Sequence, residues 1–332
     1  MNADKRRFQK SFLSAFIGVN LRLILACCAT AAAPAPRDWH AHPAIVEIDT
    51  AAPVFAVGDV HGDYVRLVRL LRSAQVIDGH DHWTAGKSVL VFNGDMIDKG
   101  PRPVDVLRLI QTLDEEAAHD GGHVVPLMGN HEAEFLAGPD ANKAADFLAD
   151  LKRHHLSPKA FNEFLAGLPF GARVNDWFFC HAGNTGGRTL AKLQSDLETS
   201  VTRNGFASPQ LLAPDSLLEA RLNGAHTWFA SKDERQLLST YAHAVSAEHI
   251  VQGHQHNDVS FAGGVERHAG EIFQRYGILF LTDVGMSEGV GDSQGALLRI
   301  QAGAADAVCP DGRVTRLWDA ETRQDVGRAL CQ

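Results

Sequence analysis

The stretch Val54-Phe55-Ala56-Val57-Gly58-Asp59-Val60-His61-Gly62 decides the fold. Four apolar residues in a row, bounded by glycine, read as a short strand buried on both faces. The run stops at Gly58, and two metal-ligand residue types, Asp59 and His61, follow at once. Tyr64, Leu67, Val68 and Leu71 then recur at helical spacing, which predicts a helix over Tyr64–Gln75 with its arginines on the opposite face. Strand, polar turn, helix is the first part of a β-α-β unit.

The same pattern returns downstream. Ser88–Phe92 reads as a strand and ends at Gly94-Asp95-Met96-Ile97-Asp98-Lys99-Gly100. A helix over Val104–Ala118 follows the breakers Pro101 and Pro103, and Gly121-Gly122 closes it. His123–Met128 is a third strand, ending at Gly129-Asn130-His131-Glu132. Asp59 to Asp95 is 36 residues and Asp95 to Asn130 is 35, each the length of one β-α-β unit. Helices are expected over Ala141–His154 and Pro158–Leu168, and strands over Trp177–Cys180, His249–Gln252, Ile278–Thr282 and Ala296–Ile300. Two of these strands end in further clusters, His181-Ala182-Gly183 and Gly253-His254-Gln255-His256. The segment from Gly186 to Ser246 reads as helices with loops. The fold class is therefore α/β, with five polar clusters at five strand ends. In open α/β sheets the carboxyl ends of the strands are where ligands bind.

Taken singly, each cluster is a turn or a cap. Taken together they supply carboxylate, imidazole and amide oxygen, a set of intermediate hardness that suits Mn²⁺, Fe or Zn²⁺. A carboxylate such as Asp95 is able to bridge two ions, and a pair of ions clamps both oxygens of an in-line displacement. His119, His123, His154 and His155 lie in no such cluster and are read as surface residues. His256 stands two residues after His254, so on an extended segment it would face the same site. Glu132 is either a support for a ligand or a salt-bridge partner. Trp83, Trp177 and Trp228 are packing residues, Trp228 bordering the pocket.

The set GDVHG, GDMIDKG, GNHE, HAG and GHQ resembles the calcineurin-like metallophosphoesterase superfamily. The stretches VLRLIQTLDEEAAHDGGHVVPLMGNHEAEFLAG and LTDVGMSEGVGD are similar to the Shewanella-like branch of bacterial phosphoprotein phosphatases. The resemblance runs from about Val54 to Ile300. It implies a four-layer αββα sandwich of two mixed sheets with a dimetal site at the strand ends. It implies two divalent ions, Mn²⁺ first and Fe or Zn²⁺ as alternatives. Asp59 and His61 would bind one ion, Asp95 would bridge, and Asn130, His181 and His254 would bind the other. His131 would be the general acid, oriented by Asp98, while a metal-bound hydroxide attacks phosphorus. Lys99 and Asn130 would contact substrate phosphate. Lys99 departs from the arginine common in the family and offers a point charge instead of a planar fork. A second phosphate-binding arginine is missing from Gly224–Ala230, leaving Arg221 or His226 as stand-ins.

The implied activity is a metallophosphoesterase acting on phosphomonoesters of protein, at phosphotyrosine or phosphoserine/threonine, or on small phosphate esters. Two alternatives stand beside it: a dinucleoside polyphosphate or nucleotide hydrolase, and a metal-binding protein without turnover. Nucleic acid is excluded as a partner by charge. The 332-residue chain carries a net −9, and its first 33 residues hold +4 of that balance, leaving −13 on the remainder. Those first residues, basic at Lys5-Arg6-Arg7, apolar to Cys28 and small through Ala33, read as a signal peptide. Residues 34–52 would be an extended lead-in and 53–332 a single catalytic domain. The expected location is periplasmic or secreted, with no stable membrane span. In an exported protein Cys309 and Cys331 are expected to pair, and Cys180 to be a buried apolar residue.

Overall fold

The computed structural model describes residues 37–138, 144–224, 227–229 and 233–331. The signal reading over 1–33 lies outside them. Their strands form two mixed sheets. One has six strands in the order β14 (Val314–Asp319), β13 (Ala304–Val308), β12 (Leu297–Gln301), β2 (Val54–Val57), β3 (Val89–Phe92), β4 (His123–Pro126). The other has seven, β1 (Ile45–Ile48), β5 (Gly171–Val174), β6 (Trp177–Cys180), β7 (His249–Gln252), β11 (Leu279–Leu281), β10 (Glu271–Arg275), β15 (Val326–Leu330). A separate hairpin joins β8 (Val259–Phe261) to β9 (Val265–Arg267).

The unbroken apolar runs are the central strands. Every residue of β2, β3, β6 and β7 is buried, as expected where both faces of a sheet are covered. The triplet β2–β3–β4 is parallel, and so is β6–β7–β11. Parallel neighbours present all their carboxyl ends on one edge, which is how each sheet gathers its polar clusters. The β4 ladder ends at Pro126, because the Met128 N–H bonds Pro169 O instead.

Helices connect the first three strands as the periodicity requires. Helix α1 (Tyr64–Ser73) is capped by Asp63, whose carboxylate accepts the Arg66 N–H at 3.1 Å. Helix α2 (Pro103–Asp120) starts on a proline and stops at Gly121 in the left-handed region, φ 76°. It is followed by α3 (Asn130–Ala137), α4 (Ala145–Arg153) and α5 (Asn162–Gly167). The fourth helix begins later than expected, with 141–143 outside the described residues. The opaque segment after Gly186 folds as α6 (Leu190–Asn204), α7 (Pro209–Leu212) and α8 (Glu234–Ala244).

The lead-in contributes β1, which pairs in parallel with β5. Three strands after Ile300 were not legible in the sequence. β14 and β15 are edge strands, half-exposed and rich in charge, so they carry no apolar run. Cys309 and Cys331 are joined, with Cα atoms 5.3 Å apart. The bridge fastens the end of β13 in one sheet to the end of β15 in the other, and closing a loop of 22 residues is worth about 3 kcal/mol. Among the described residues no helix is long and apolar enough to cross a membrane.

Candidate metal centre

Asp59 and His61 leave the end of β2, Asp95 and Asp98 the end of β3, and Asn130 and His131 open α3 just beyond β4. His181 ends β6 and His254 follows β7. The loops are sewn to one another by backbone bonds: Asp95 O accepts the N–H groups of Val60 and His61 at 3.1 and 2.8 Å, and Gly253 N–H donates to His181 O at 3.0 Å. Close approach explains the glycines. A Cβ on Gly129 would lie 2.2 Å from Asp95 Oδ1, and one on Gly94 would lie 2.6 Å from Gly129 Cα. His61, Asp95, Asp98, Lys99 and His254 all hold positive φ, between 45° and 62°. Non-glycine residues adopt this region at a cost, and such strain concentrates at functional sites.

Asp95 is the hub. Its Oδ2 is 3.7 Å from His61 Nε2 and 3.9 Å from His131 Nε2, and its Oδ1 is 3.4 Å from His181 Nε2. Asn130 Oδ1 is 3.0 Å from His181 Nε2. Two triplets have ligand atoms within 4.8 Å of one another: His61, Asp95, His131 and Asp95, His181, His254. Asp59 lies beside the first, with Oδ2 3.8 Å from His61 Nε2 and Oδ1 accepting the His254 N–H at 2.9 Å.

The imidazoles are pre-set. His181 Nδ1–H donates to Asn93 O at 2.7 Å and His61 Nδ1–H to Ile97 O at 3.2 Å, so each turns an Nε2 lone pair inward. His254 Nε2 is buried and bonds no protein group. A buried polar atom aimed at a cluster of acids is costly unless something else satisfies it. Three carboxyls, Asp59, Asp95 and Asp283, are also buried here, each at most 4 % exposed. Orphaned imidazole and concentrated buried negative charge together fit divalent cations.

Protonation follows burial and charge. Burial holds the His61 imidazole down at about 4, and burial with His181 and Arg221 holds His254 well below its ordinary value. Burial also drives Asp59 well above the usual carboxylate range, helped by Asp283 and Asp95. In Asp95 the upward push of burial is outweighed by His181, His131 and His61, which hold it well below. His131 is raised: burial lowers it, but the Asp95 charge and the Asp98 hydrogen bond prevail.

His131 Nδ1 meets Asp98 Oδ2 at 3.1 Å, leaving Nε2 toward the cluster. Lys99 Nζ is 3.4 Å from His61 Nε2, and Arg221 Nη1 donates to His254 O at 2.7 Å. His226 lies outside the described residues. Glu132 makes no salt bridge among them. It is fully buried and accepts four backbone N–H groups, from Gly129, Asp95, Met96 and Ile97 at 2.8–3.1 Å. His256 departs from the extended-chain expectation, because His254 at φ 62° breaks the alternation. Its Nδ1 instead lies 3.5 Å from Asp283 Oδ2.

Asp283 is the residue that sequence reasoning missed. It sits two residues beyond β11, in a stretch noted only as part of a resemblance, without a neighbouring His or Asn to mark it. Its carboxyl is held down at about 2: burial raises it, but the His256 hydrogen bond and charge and the Gly285 N–H outweigh that. His119, His123 and His155 are exposed and His154 half-buried, none of them near the cluster.

The sequence matches the calcineurin-like phosphoesterase family over residues 52–258. It is 30% identical over 139 residues to a Shewanella-like protein phosphatase 1 of Plasmodium berghei, 39% of this chain and 38% of that protein. It is 35% identical over 100 residues to the symmetrical bis(5'-nucleosyl)-tetraphosphatase of Escherichia coli, 29% of this chain and 31% of that protein. The chain spans about a quarter to two-fifths of the length of the curated relatives it matches. The crystal structure of a cold-active protein-tyrosine phosphatase from a psychrophilic Shewanella species superposes with a TM-score of 0.62, at 24% identity and covering 81% of each chain. At that identity the likeness is one of fold.

Proposed function

The chain belongs to the calcineurin-like phosphoesterase family, and we propose that it is a metal-dependent phosphatase hydrolysing phosphomonoesters of protein substrates. The observation that carries this reading is the convergence on Asp95 of three inward-facing imidazoles and one orphaned imidazole nitrogen. Asp59, His61 and Asp95 would hold one divalent ion, and Asp95, Asn130, His181 and His254 a second. Mn²⁺ is the expected ion, with Fe or Zn²⁺ as alternatives of similar hardness. When bound, such a pair supplies an activated water and a Lewis acid for the phosphoryl oxygens.

The chain's own groups do the rest. Asp98 fixes the His131 ring through Nδ1, so that Nε2 presents a proton toward the leaving oxygen. Lys99 and Arg221 place two cations beside the cluster, one near His61 and one on the His254 carbonyl. Either would supply positive charge for phosphate oxygens, Arg221 standing in for the arginine that Gly224–Ala230 lacks. Glu132 holds the Asp95 loop in its left-handed turn by accepting the three consecutive N–H groups of Asp95, Met96 and Ile97, and it accepts that of Gly129 as well.

Similarity to a protein phosphatase and to a dinucleoside tetraphosphatase favours different substrates. The Cys309–Cys331 bridge favours the first, because disulfides persist in oxidising compartments and such nucleotides are mainly cytosolic. A periplasmic or secreted catalytic domain over 53–332 is the consistent picture. The test is kcat/KM of the Mn²⁺-loaded protein for a phosphotyrosyl peptide, a phosphoseryl peptide and a dinucleoside tetraphosphate, with Asp95→Asn as control. Preference for a phosphopeptide is expected. Preference for the dinucleotide keeps the site and overturns the substrate. Full activity after thorough demetallation sinks the mechanism.

A further inference from the structure

The strands that deliver His181 and His254 carry another cluster at their opposite ends. Asp176 precedes β6, Glu248 precedes β7, and His249 is the first residue of β7. Asp176 O accepts the N–H groups of Glu248 and His249 at 2.8 and 3.2 Å, which fastens the three together. One oxygen from each carboxylate and a ring nitrogen of His249 lie within 4.8 Å of one another. The two acids are exposed and by themselves would be ordinary surface charge.

His249 makes the difference. It is 4 % exposed, stacked on Trp177 with ring centroids 3.9 Å apart and 20° between planes, and met edge-on by Trp318. Its Nδ1–H donates to Gly277 O, which fixes the tautomer and leaves Nε2 as an acceptor. The nearest carboxylate oxygen to Nε2, Asp176 Oδ2, is 3.9 Å away, beyond hydrogen-bond reach. Among the described residues no donor bonds Nε2, and no hydrogen bond reaches the Glu248 carboxylate. Three acceptors therefore face one another, an exposed pair of carboxylates and the Nε2 of a ring held in place by packing, an arrangement that suits a cation entering from solvent. The ring is oriented as metal-binding histidines are, by a backbone carbonyl on its other nitrogen. The cluster opens on a cavity of about 740 Å³ whose wall also includes Tyr276 and Trp318, so an ion has free access from solvent.

We propose that Asp176, Glu248 and His249 bind a divalent cation of intermediate hardness, Zn²⁺ by the character of this one-nitrogen, two-oxygen ligand set. Three protein ligands leave room for water as the fourth. The site is separate from the candidate dimetal centre. Five residues of chain separate Asp176 from His181 and His249 from His254, about 16 Å at the rise of a strand. Its ion ties the starts of two parallel strands that have no short turn between them. It acts on strand pairing and stability, not on turnover.

The test uses the full chain, stripped with chelator and titrated with Zn²⁺ alone. Metal content is read by elemental analysis after gel filtration, and melting temperature is followed in parallel. The double variant Asp176→Asn, Glu248→Gln changes two exposed side chains and leaves the His249 packing intact. It should retain one ion fewer per chain than the wild type, lose part of the Zn²⁺-dependent rise in melting temperature, and keep phosphatase turnover with Mn²⁺. Asp95→Asn should lose turnover yet still lose one more ion when combined with the double variant. Equal Zn²⁺ content in wild type and double variant overturns the proposal, whatever the substrate of the enzyme is found to be.

Discussion

β6 and β7 have two ends built on different principles. At the carboxyl end His181 and His254 stand among loops of both sheets, and directed hydrogen bonds set their orientation, Asn93 O for His181 Nδ1 and Asp59 Oδ1 for the His254 N–H, while His254 Nε2 bonds no protein group. At the amino end Trp177, His249, Phe280 and Trp318 form an aromatic cluster, Trp177 stacked on His249 and the other rings tilted or edge-on. Left-handed backbone occurs at both ends, at His254 and the neighbouring loops of the tip and at Asn175, Ser246 and Tyr276 of the base, so the ends differ in their side chains. The lesson is a division of labour along a four-residue strand. Aromatic burial at the base packs the strands together, and the tips carry the polar side chains that face the candidate metal centre.

This division is open to breakage. The largest effect is expected at the tip. His131→Asn should lower kcat by about 10²–10⁴-fold while metal content persists, since the proton donor is removed and no ligand carboxylate is. Unchanged turnover would remove His131 from the role of acid. A smaller effect, and of a different kind, is expected at the base. Trp177→Ala should cost about 3–5 kcal/mol in denaturant unfolding, yet leave turnover per folded molecule intact. A matching loss of kcat would show that base and tip are one cooperative unit. The smallest effect tests the middle. Burial pushes the Cys180 thiol up to about 12, so the peptide containing it should resist iodoacetamide at pH 8 in the folded protein and react once unfolded. Alkylation under native conditions would mean that the strand opens.

How far the sequence could be read follows the same contrast. Tips were legible because Asp59, His61, Asp95, Asn130, His181 and His254 interrupt apolar runs and stand beside glycines. The base was not legible. The strands beginning at Trp177 and His249 were read with the right bounds, but no local spacing links their side chains, and Asp176 and Glu248 look like surface acids. Asp283 escaped for a related reason: its partner His256 lies 27 residues upstream, and no local spacing connects them. Glu132 was visible as a residue but not as an acceptor for four backbone N–H groups, because those donors come from a loop more than 30 residues away in part. β14 and β15 were invisible because half-exposed edges carry mixed residues.

The sequence by itself determined the α/β class, the order of the polar clusters and the chemistry of their side chains. Period, punctuation and residue type are local properties, written in contiguous residues. Tertiary structure alone decided which clusters meet, which nitrogen each imidazole turns inward, and that the ends of β6 and β7 differ in kind. Those outcomes depend on strand order, left-handed turns and contacts between distant segments, which exist only once the two sheets have closed.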